Sequence, residues 1–279
     1  MKLKILTILL ILFTNITIYA APNKIEVGKI KIVTSITPLA SIFALLLKDE
    51  AIITSIATNS DCPHHYHLKP SDLEKVKKAD MVIYIDDQFD GFAAKLMRKH
   101  NNNIVTVSDV KGLKIINNNW HIWLDLDNVS NLLEAMSVIL IERFPALKDN
   151  IRTNLAESKK QIANLADIKQ QKLASISDFI LLSDSLEYFF INYKVQKLYN
   201  SEQKSLKYLN NLQLVLNNST SKCLIMSIEQ NPKLYKNITA TIVKLASENW
   251  PVTEITHDLF YQQYLTMIEQ VALCGEGPK

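Results

Sequence analysis

The chain has 279 residues, of which 48% are hydrophobic and 21% are charged, which is enough apolar material for one large core or two ordinary ones. Its formal net charge is +3, and this falls to +1 if the first 20 residues are removed, because they carry Lys2 and Lys4 and no acidic residue. Such a nearly neutral chain argues against nucleic acid as a partner.

Residues 1–20 have the pattern of a secretory signal peptide. Two lysines form a cationic start, an apolar run follows over residues 5–13, and Ala20 and Ala21 offer a cleavage point. The apolar run is too short to span a bilayer comfortably, and no cysteine lies near Ala20 to carry a lipid. We therefore predict an exported protein that is not stably inserted in a membrane after cleavage.

Short β-branched runs alternate with longer helical patterns in residues 21–146, which is typical of a parallel sheet covered by helices. The pattern predicts strands at 30–34, 52–56, 81–84 and 104–107, and helices at 38–47, 71–78 and 88–99. Ser71 and Glu74 have capping-box spacing, so we expect the second helix to begin at Ser71.

Residues 147–172 predict one continuous helix. The stretch is polar, rich in Lys, Gln, Asn, Ala and Leu, and contains no Pro or Gly. At 1.5 Å per residue it would be about 35 to 40 Å long and would hold two lobes at a set distance. The alternative is a helical hairpin inside a single domain.

The remaining part, residues 173–279, repeats the alternation of the first. It predicts strands at 179–182, 195–198, 223–226 and 252–255 and a helix at 261–273. We therefore predict an α/β protein with an N-terminal lobe at 21–146, a linking helix at 147–172 and a C-terminal lobe at 173–279. Each lobe would be a mostly parallel sheet flanked by helices.

Two histidine-bearing segments are candidates for binding one metal ion. Residues 61–72 read Asp-Cys-Pro-His-His-Tyr-His-Leu-Lys-Pro-Ser-Asp, and residues 119–125 read Asn-Trp-His-Ile-Trp-Leu-Asp. Neutral imidazole is the commonest protein ligand for zinc-like ions. His64 and His121 are the stronger candidates. His65 and His67 are weaker, since alternate side chains on an extended loop point in different directions.

These segments resemble the metal-binding periplasmic proteins of zinc and manganese ABC importers. Residues 63–66 and 68–72 are similar to that family's Pro-His-x-Tyr and Leu-Arg-Pro-Ser-Asp elements, and residues 121–125 to its His-x-Trp-Leu-Asp motif. Residues 33–39 and 184–189 fit as well. The resemblance implies two lobes joined by a rigid backbone helix with metal in the cleft, a periplasmic location and a cognate ABC permease in the inner membrane. It implies no enzymatic activity.

The chain departs from the family pattern at two ligand positions. A third family histidine corresponds to Ser183, which is a better helix cap than a zinc ligand. The family's acidic ligand falls near residues 255–258, where one register offers Thr256 and a short shift offers Asp258 with His257 beside it. The metal ligands predicted from the resemblance are therefore His64, His121, Asp258 and His257.

The chain has three cysteines, Cys62, Cys223 and Cys274. In an oxidising compartment two of the three should pair. We pair Cys223 with Cys274, because they fall where the zinc-uptake members of the family carry a disulfide. Cys62 is then left as a thiolate ligand or as a buried thiol.

The sequence thus predicts a periplasmic protein that captures a divalent transition metal, zinc or alternatively manganese, and hands it to an ABC permease. One alternative is a divergent family member with weak or manganese binding that acts as an adhesin or scaffold. A more distant alternative is a secreted metallohydrolase. The chain carries no general base at a readable spacing, and it lacks the His-Glu-x-x-His and Gly-x-Ser-x-Gly motifs.

Overall fold

The computed structural model describes residues 28–58, 66–199, 205–250 and 252–277. The predicted signal peptide, Cys62, His64 and His65 lie outside these ranges. The described residues form two four-stranded parallel sheets, one before and one after a long helix. The predicted α/β class is therefore confirmed, and we call the parts before and after the long helix the first and second lobes.

The first sheet has the strand order β2-β1-β3-β4. Its strands are β1 Ile30–Ile36, β2 Ala51–Ala57, β3 Met81–Tyr84 and β4 Ile104–Thr106. All four residues of β3 are buried, as expected for a parallel strand covered on both faces. The helices of this lobe are α1 Thr37–Leu47, α2 Pro70–Lys78, α3 Gly91–His100 and α4 Leu126–Arg143.

The capping box predicted at Ser71 and Glu74 is wrong. Helix α2 begins at Pro70, whose fixed φ suits the first helical position and which has no N–H to leave unpaired. This places Asp72 at the third helical position, where its carboxylate accepts from the Lys69 backbone N–H and the Tyr66 hydroxyl, each at 2.9 Å. Asp72 therefore ties residues 66–69, the end of the first histidine-bearing segment, to the start of α2.

The second sheet has the order β6-β5-β7-β8. Its strands are β5 Phe179–Leu181, β6 Val195–Lys197, β7 Cys223–Ser227 and β8 Thr241–Leu245. The helices of this lobe are α6 Leu206–Asn218 and α7 Leu259–Ala272. The predicted disulfide is present: it joins Cys223 at the start of β7 to Cys274 just after α7, with their Cα atoms 5.5 Å apart.

The strand predicted at 252–255 is wrong, and the fourth strand of this sheet is β8. Leu224 pairs with Ile242 across the two strands, and Val243 and Leu245 are buried. Trp250 then anchors the chain as it leaves the sheet, since its ring is buried 5.7 Å from Phe260. The β-branched residues after Trp250 therefore lie in the loop that leads into α7.

The long helix α5 spans Lys148–Leu173 and corresponds to the predicted linking helix. It packs against α1 and α4 of the first lobe and against α7 of the second. A single buried cluster runs through both lobes, and it includes Phe43, Leu132, Leu165, Phe189 and Trp250. The two lobes thus share this cluster, and each lobe also has a smaller buried cluster of its own. In the described part of the chain, no helix has both the length and the apolarity to cross a bilayer.

The joint between α5 and α1 gives a stability prediction. Helix α1 is buried throughout, and Asn154 on α5 donates from Nδ2 to the carbonyl of Leu46, near the end of α1, at 2.9 Å. Asn154→Ala would remove the donor from a buried carbonyl, so we expect the free energy of unfolding to fall by about 1–3 kcal/mol. Urea denaturation measures this, with Thr153→Ala on the exposed face of the same helix as the control. Equal stability of the two variants would contradict it.

Candidate metal centre

The carboxyl ends of three strands of the second sheet face a segment of the first lobe across a cleft of about 420 Å³. Crevices at the carboxyl ends of parallel strands are the usual ligand sites of open α/β sheets. Residues at or just after the ends of β5, β7 and β8 line one side of the cleft: Ser183, Asp184, Ser185, Ser227, Glu229, Gln230, Ser247 and Glu248. Phe89 and residues 117–121 line the other side.

A tight turn shapes the first-lobe side of the cleft. Asn117 and Asn118 have positive φ values of 47° and 59°, and the Asn119 N–H donates to the Ile116 carbonyl at 2.8 Å. Two residues in the left-handed backbone conformation, between the hydrogen-bonded Ile116 and Asn119, make a type I′-like turn. Asparagine is favoured in such turns. His121 follows two residues later, directly before the 3₁₀ helix Ile122–Leu124.

Asn119 determines which nitrogen of His121 carries a proton. The Asn119 Nδ2 donates to the Asp184 carbonyl at 2.8 Å, so its Oδ1 is the atom that faces His121. This oxygen lies 2.6 Å from His121 Nδ1 and also accepts from the His121 backbone N–H. Because an amide oxygen only accepts, Nδ1 must be protonated. Nε2 is therefore the nitrogen available to a cation in neutral imidazole.

His121 Nε2 lies 2.5 Å from Oε1 of Glu248 in the other lobe. The two residues are 8% and 7% exposed. The imidazole ring is held between Phe89, whose centroid is 5.2 Å away in an edge arrangement, and Trp123, at 5.3 Å. The two side chains thus bring a nitrogen and an oxygen atom from different lobes to one point of the cleft.

Further polar groups surround this pair. Partial removal from water raises the pKa of Glu229 above its ordinary value, the Glu248 carboxylate raises it further, and His121 lowers it. The buried hydroxyl of Ser227 has no hydrogen-bond partner among the described residues. The Ser183 hydroxyl is hydrogen-bonded to the Ser185 hydroxyl, with the two Oγ atoms 2.8 Å apart. This contact gives no indication that Ser183 is a ligand. The His121 imidazole and the Glu248 carboxylate are both donor types that bind divalent cations.

The structure separates two of the predicted ligands from His121. His257 and Asp258 lie in the loop before α7, with Nε2 and Oδ1 3.5 Å apart and side chains 43% and 54% exposed. They line a different groove, of about 820 Å³, which runs along the edge strand β2. His64 lies outside the described residues, and His67 is exposed. Across the four described ranges, no three His, Cys, Asp or Glu side chains are close enough together to hold one metal ion.

Comparison with known proteins identifies the family. The family described as "ZnuA: Zinc-uptake complex component A periplasmic" matches residues 32–273. This chain belongs to the ZnuA family. An uncharacterized protein of Rickettsia prowazekii is 48% identical over 271 residues, covering 96% of this chain and 88% of its own length. The high-affinity zinc uptake system protein ZnuA of Haemophilus ducreyi is 24% identical over 260 residues, covering 78% of this chain and 84% of its own length.

A solved structure has the same fold. The crystal structure of ZnuA aligns with a TM-score of 0.76 over 89% of this chain and 100% of that chain, at 18% identity. Together with the ZnuA family match, this confirms the resemblance seen in the sequence. The chain is a metal-binding, substrate-binding protein of ABC transport, a class that binds its cargo and does not convert it.

Glu248 is the residue of this ZnuA-family cleft that the sequence interpretation missed. The sequence predicts the last strand at 252–255, and the resemblance places the family's acidic ligand near residues 255–258, so His257 and Asp258 are predicted as ligands. The strand actually ends at Leu245, and the acidic residue just past that end is Glu248. The readable signal was the β-branched run at 241–245, followed three positions later by a carboxylate.

Proposed function

We propose that this protein captures a divalent transition metal, preferentially zinc, in the cleft between its lobes and delivers it to a cognate ABC permease of the inner membrane. The observation that carries the proposal is the approach of His121 Nε2 to the Glu248 carboxylate across the two lobes. A periplasmic location, after cleavage of the predicted signal, belongs to the same proposal. The family match supports metal as the cargo.

Zinc binding at this pair requires only a small rearrangement. Zinc bonds to imidazole nitrogen and carboxylate oxygen are each about 2.0–2.2 Å long, so a tetrahedral ion would hold these two atoms about 3.4 Å apart. His121 Nε2 and Glu248 Oε1 are 2.5 Å apart. The side chains would therefore separate by roughly 1 Å to admit the ion.

The other ligands are part of the proposal. Glu229, which lines the same cleft, is proposed to move toward the ion as a second carboxylate, and His64 is proposed as a second imidazole on the motif that its loop carries. Water would complete a four-coordinate site. Nitrogen-rich sets favour zinc and oxygen-rich sets favour manganese, so a second imidazole decides between the two metals.

A second candidate function is that of a divergent member that binds manganese or binds metal weakly. Ser183 favours it, because it removes the imidazole that the family resemblance places at the start of the 3₁₀ helix Asp184–Phe190. Parallel titrations of the metal-free protein with zinc and with manganese separate the candidates. Tighter binding of zinc by tenfold or more supports the first, and tighter binding of manganese supports the second.

We expect zinc affinity to fall as the pH is lowered. An imidazole must lose its proton to ligate, so each imidazole ligand should weaken binding about tenfold one unit below the ordinary imidazole pKa of about 6.5. Calorimetric titration at pH 7.5 and 5.5, in two buffers of different ionisation enthalpy, gives both the affinity and the number of protons released. The same affinity at both pH values would contradict ligation by histidine.

A further inference from the structure

The buried hydroxyl of Tyr188 reaches from the second lobe into the turn that precedes His121. Tyr188 belongs to the 3₁₀ helix Asp184–Phe190, which follows β5, and it is 0% exposed. Its hydroxyl accepts from the Ile116 N–H at 2.8 Å and lies 2.8 Å from the Asn119 carbonyl and 3.1 Å from that of Lys114. The phenol has a single proton, and the shorter distance favours Asn119 as its acceptor.

This hydroxyl lies where the two residues that flank a two-residue hairpin turn would normally form a direct backbone hydrogen bond. In such a hairpin the residues flanking the turn exchange two backbone hydrogen bonds. Here the Asn119 N–H donates to the Ile116 carbonyl, whereas the return bond runs from the Ile116 N–H through the Tyr188 hydroxyl to the Asn119 carbonyl. The Tyr188 hydroxyl thus lies between the Ile116 N–H and the Asn119 carbonyl and takes the place of a direct bond between them.

Asn119 is therefore held by the second lobe at both its backbone and its side chain. Tyr188 binds its carbonyl, and the Asp184 carbonyl accepts from its Nδ2. Its side-chain oxygen, Oδ1, lies 2.6 Å from His121 Nδ1. Partners of this kind orient metal-binding imidazoles and set their tautomer. A change at Tyr188 would reach His121 through Asn119.

We infer that Tyr188 is a positioning residue for His121, acting by holding the 116–119 turn open so that Asn119 aims Nε2 into the cleft. The inference rests on the proposed function, because it gives His121 the role of a metal ligand. Removing the hydroxyl lets Ile116 and Asn119 pair directly, so the turn tightens and Asn119 moves away from the His121 ring. The backbone groups of the turn stay satisfied, and the variant should fold.

The test compares Tyr188→Phe with Tyr193→Phe. Tyr193 lies just past the same 3₁₀ helix, and its hydroxyl makes one long bond of 3.4 Å to the Lys169 carbonyl, so the control loses the same atom away from the turn. With Zn²⁺ alone as the ligand, we expect Tyr188→Phe to weaken binding about 10- to 100-fold and Tyr193→Phe to change it less than twofold. Equal affinities in the two variants would overturn the inference.

A second readout needs no metal and separates this inference from the proposed function. In the metal-free protein, ¹⁵N NMR of the His121 ring should show the proton on Nδ1 in the wild type and in Tyr193→Phe, and a redistributed tautomer in Tyr188→Phe. An unchanged ring spectrum in Tyr188→Phe would overturn the inference whether or not zinc binds. If the spectrum shifts while the wild type binds no zinc, the positioning is upheld and the proposed function fails.

A double-mutant cycle tests the route through Asn119. If Tyr188 acts through Asn119, then adding Tyr188→Phe to Asn119→Ala should weaken zinc binding less than twofold beyond Asn119→Ala alone, because the intermediary is already gone. Fully additive losses would show that Tyr188 affects the cleft by another route and would overturn the inference.

Discussion

His121→Ala should weaken zinc binding by at least about 100-fold, and Glu248→Gln by about 10- to 100-fold. The alanine removes the imidazole that we propose as the nitrogen ligand and that Asn119, Phe89 and Trp123 hold in place. The glutamine keeps the shape of Glu248 but removes the charge that faces His121 at 2.5 Å. Both side chains are buried, so neither is readily replaced by water from bulk solvent. Competition titration with a zinc chelator measures affinities over this range.

The matched controls are the two residues predicted from the sequence to serve in the same role. Asp258→Asn removes a carboxylate charge as Glu248→Gln does, and His257→Ala removes an imidazole as His121→Ala does. Both control residues lie in the groove along β2, so we expect zinc affinity to change less than twofold. If Asp258→Asn weakened binding while Glu248→Gln did not, the ligand set would follow the sequence motif, and the assignment to the cleft would be wrong.

His64→Ala completes this series. Its motif predicts a ligand, and a loss of affinity similar to that of His121→Ala would place two imidazoles in the site. An unchanged affinity would leave one imidazole with carboxylates, a set that suits manganese better than zinc. The variant therefore decides the composition of the site and the choice of metal in one measurement.

The first sheet could be predicted from the sequence because its signals are local. Each of its strands is a short β-branched run followed by a helical pattern, and β3 was predicted with the bounds 81–84 that it has in the structure. β8 could not be placed in the same way. Two β-branched runs, at 241–245 and 252–255, competed for one position beside β7. The burial of Trp250 against Phe260, a tertiary contact, decides between them.

The same distinction applies within the cleft. His121 stands in a recognisable motif, and the consecutive asparagines at 117–119 are a turn signal that a sequence can display. The contacts of Asn119 and His121 with Tyr188 and Glu248 join positions 69 and 127 residues apart. No spacing rule connects such positions. The sequence therefore indicates His121 as a candidate ligand, but it indicates neither the carboxylate that faces His121 nor the tyrosine that binds Asn119.

Removing the disulfide should be the largest perturbation of stability. Cys223 and Cys274 are 51 residues apart and both are buried. A bridge that closes a loop of this length contributes about 4 kcal/mol by restricting the unfolded chain. We expect the Cys223→Ala/Cys274→Ala variant to lose about 2–5 kcal/mol in free energy of unfolding, measured by urea denaturation. Wild-type protein in reductant should unfold at a similar midpoint, and reductant should leave the variant unchanged.

Because the disulfide lies away from the cleft, its effect on stability can be measured separately from any effect on zinc binding. Cys223 begins β7, whereas the cleft residues Ser227 and Glu229 lie at and beyond the other end of that strand. Below the unfolding transition, the variant should therefore bind zinc within about twofold of the wild type, since the bridge acts mainly on the unfolded chain. A large loss of zinc affinity in the folded variant would mean that the bridge also shapes the cleft. An unchanged urea midpoint would mean that the bridge contributes nothing to stability.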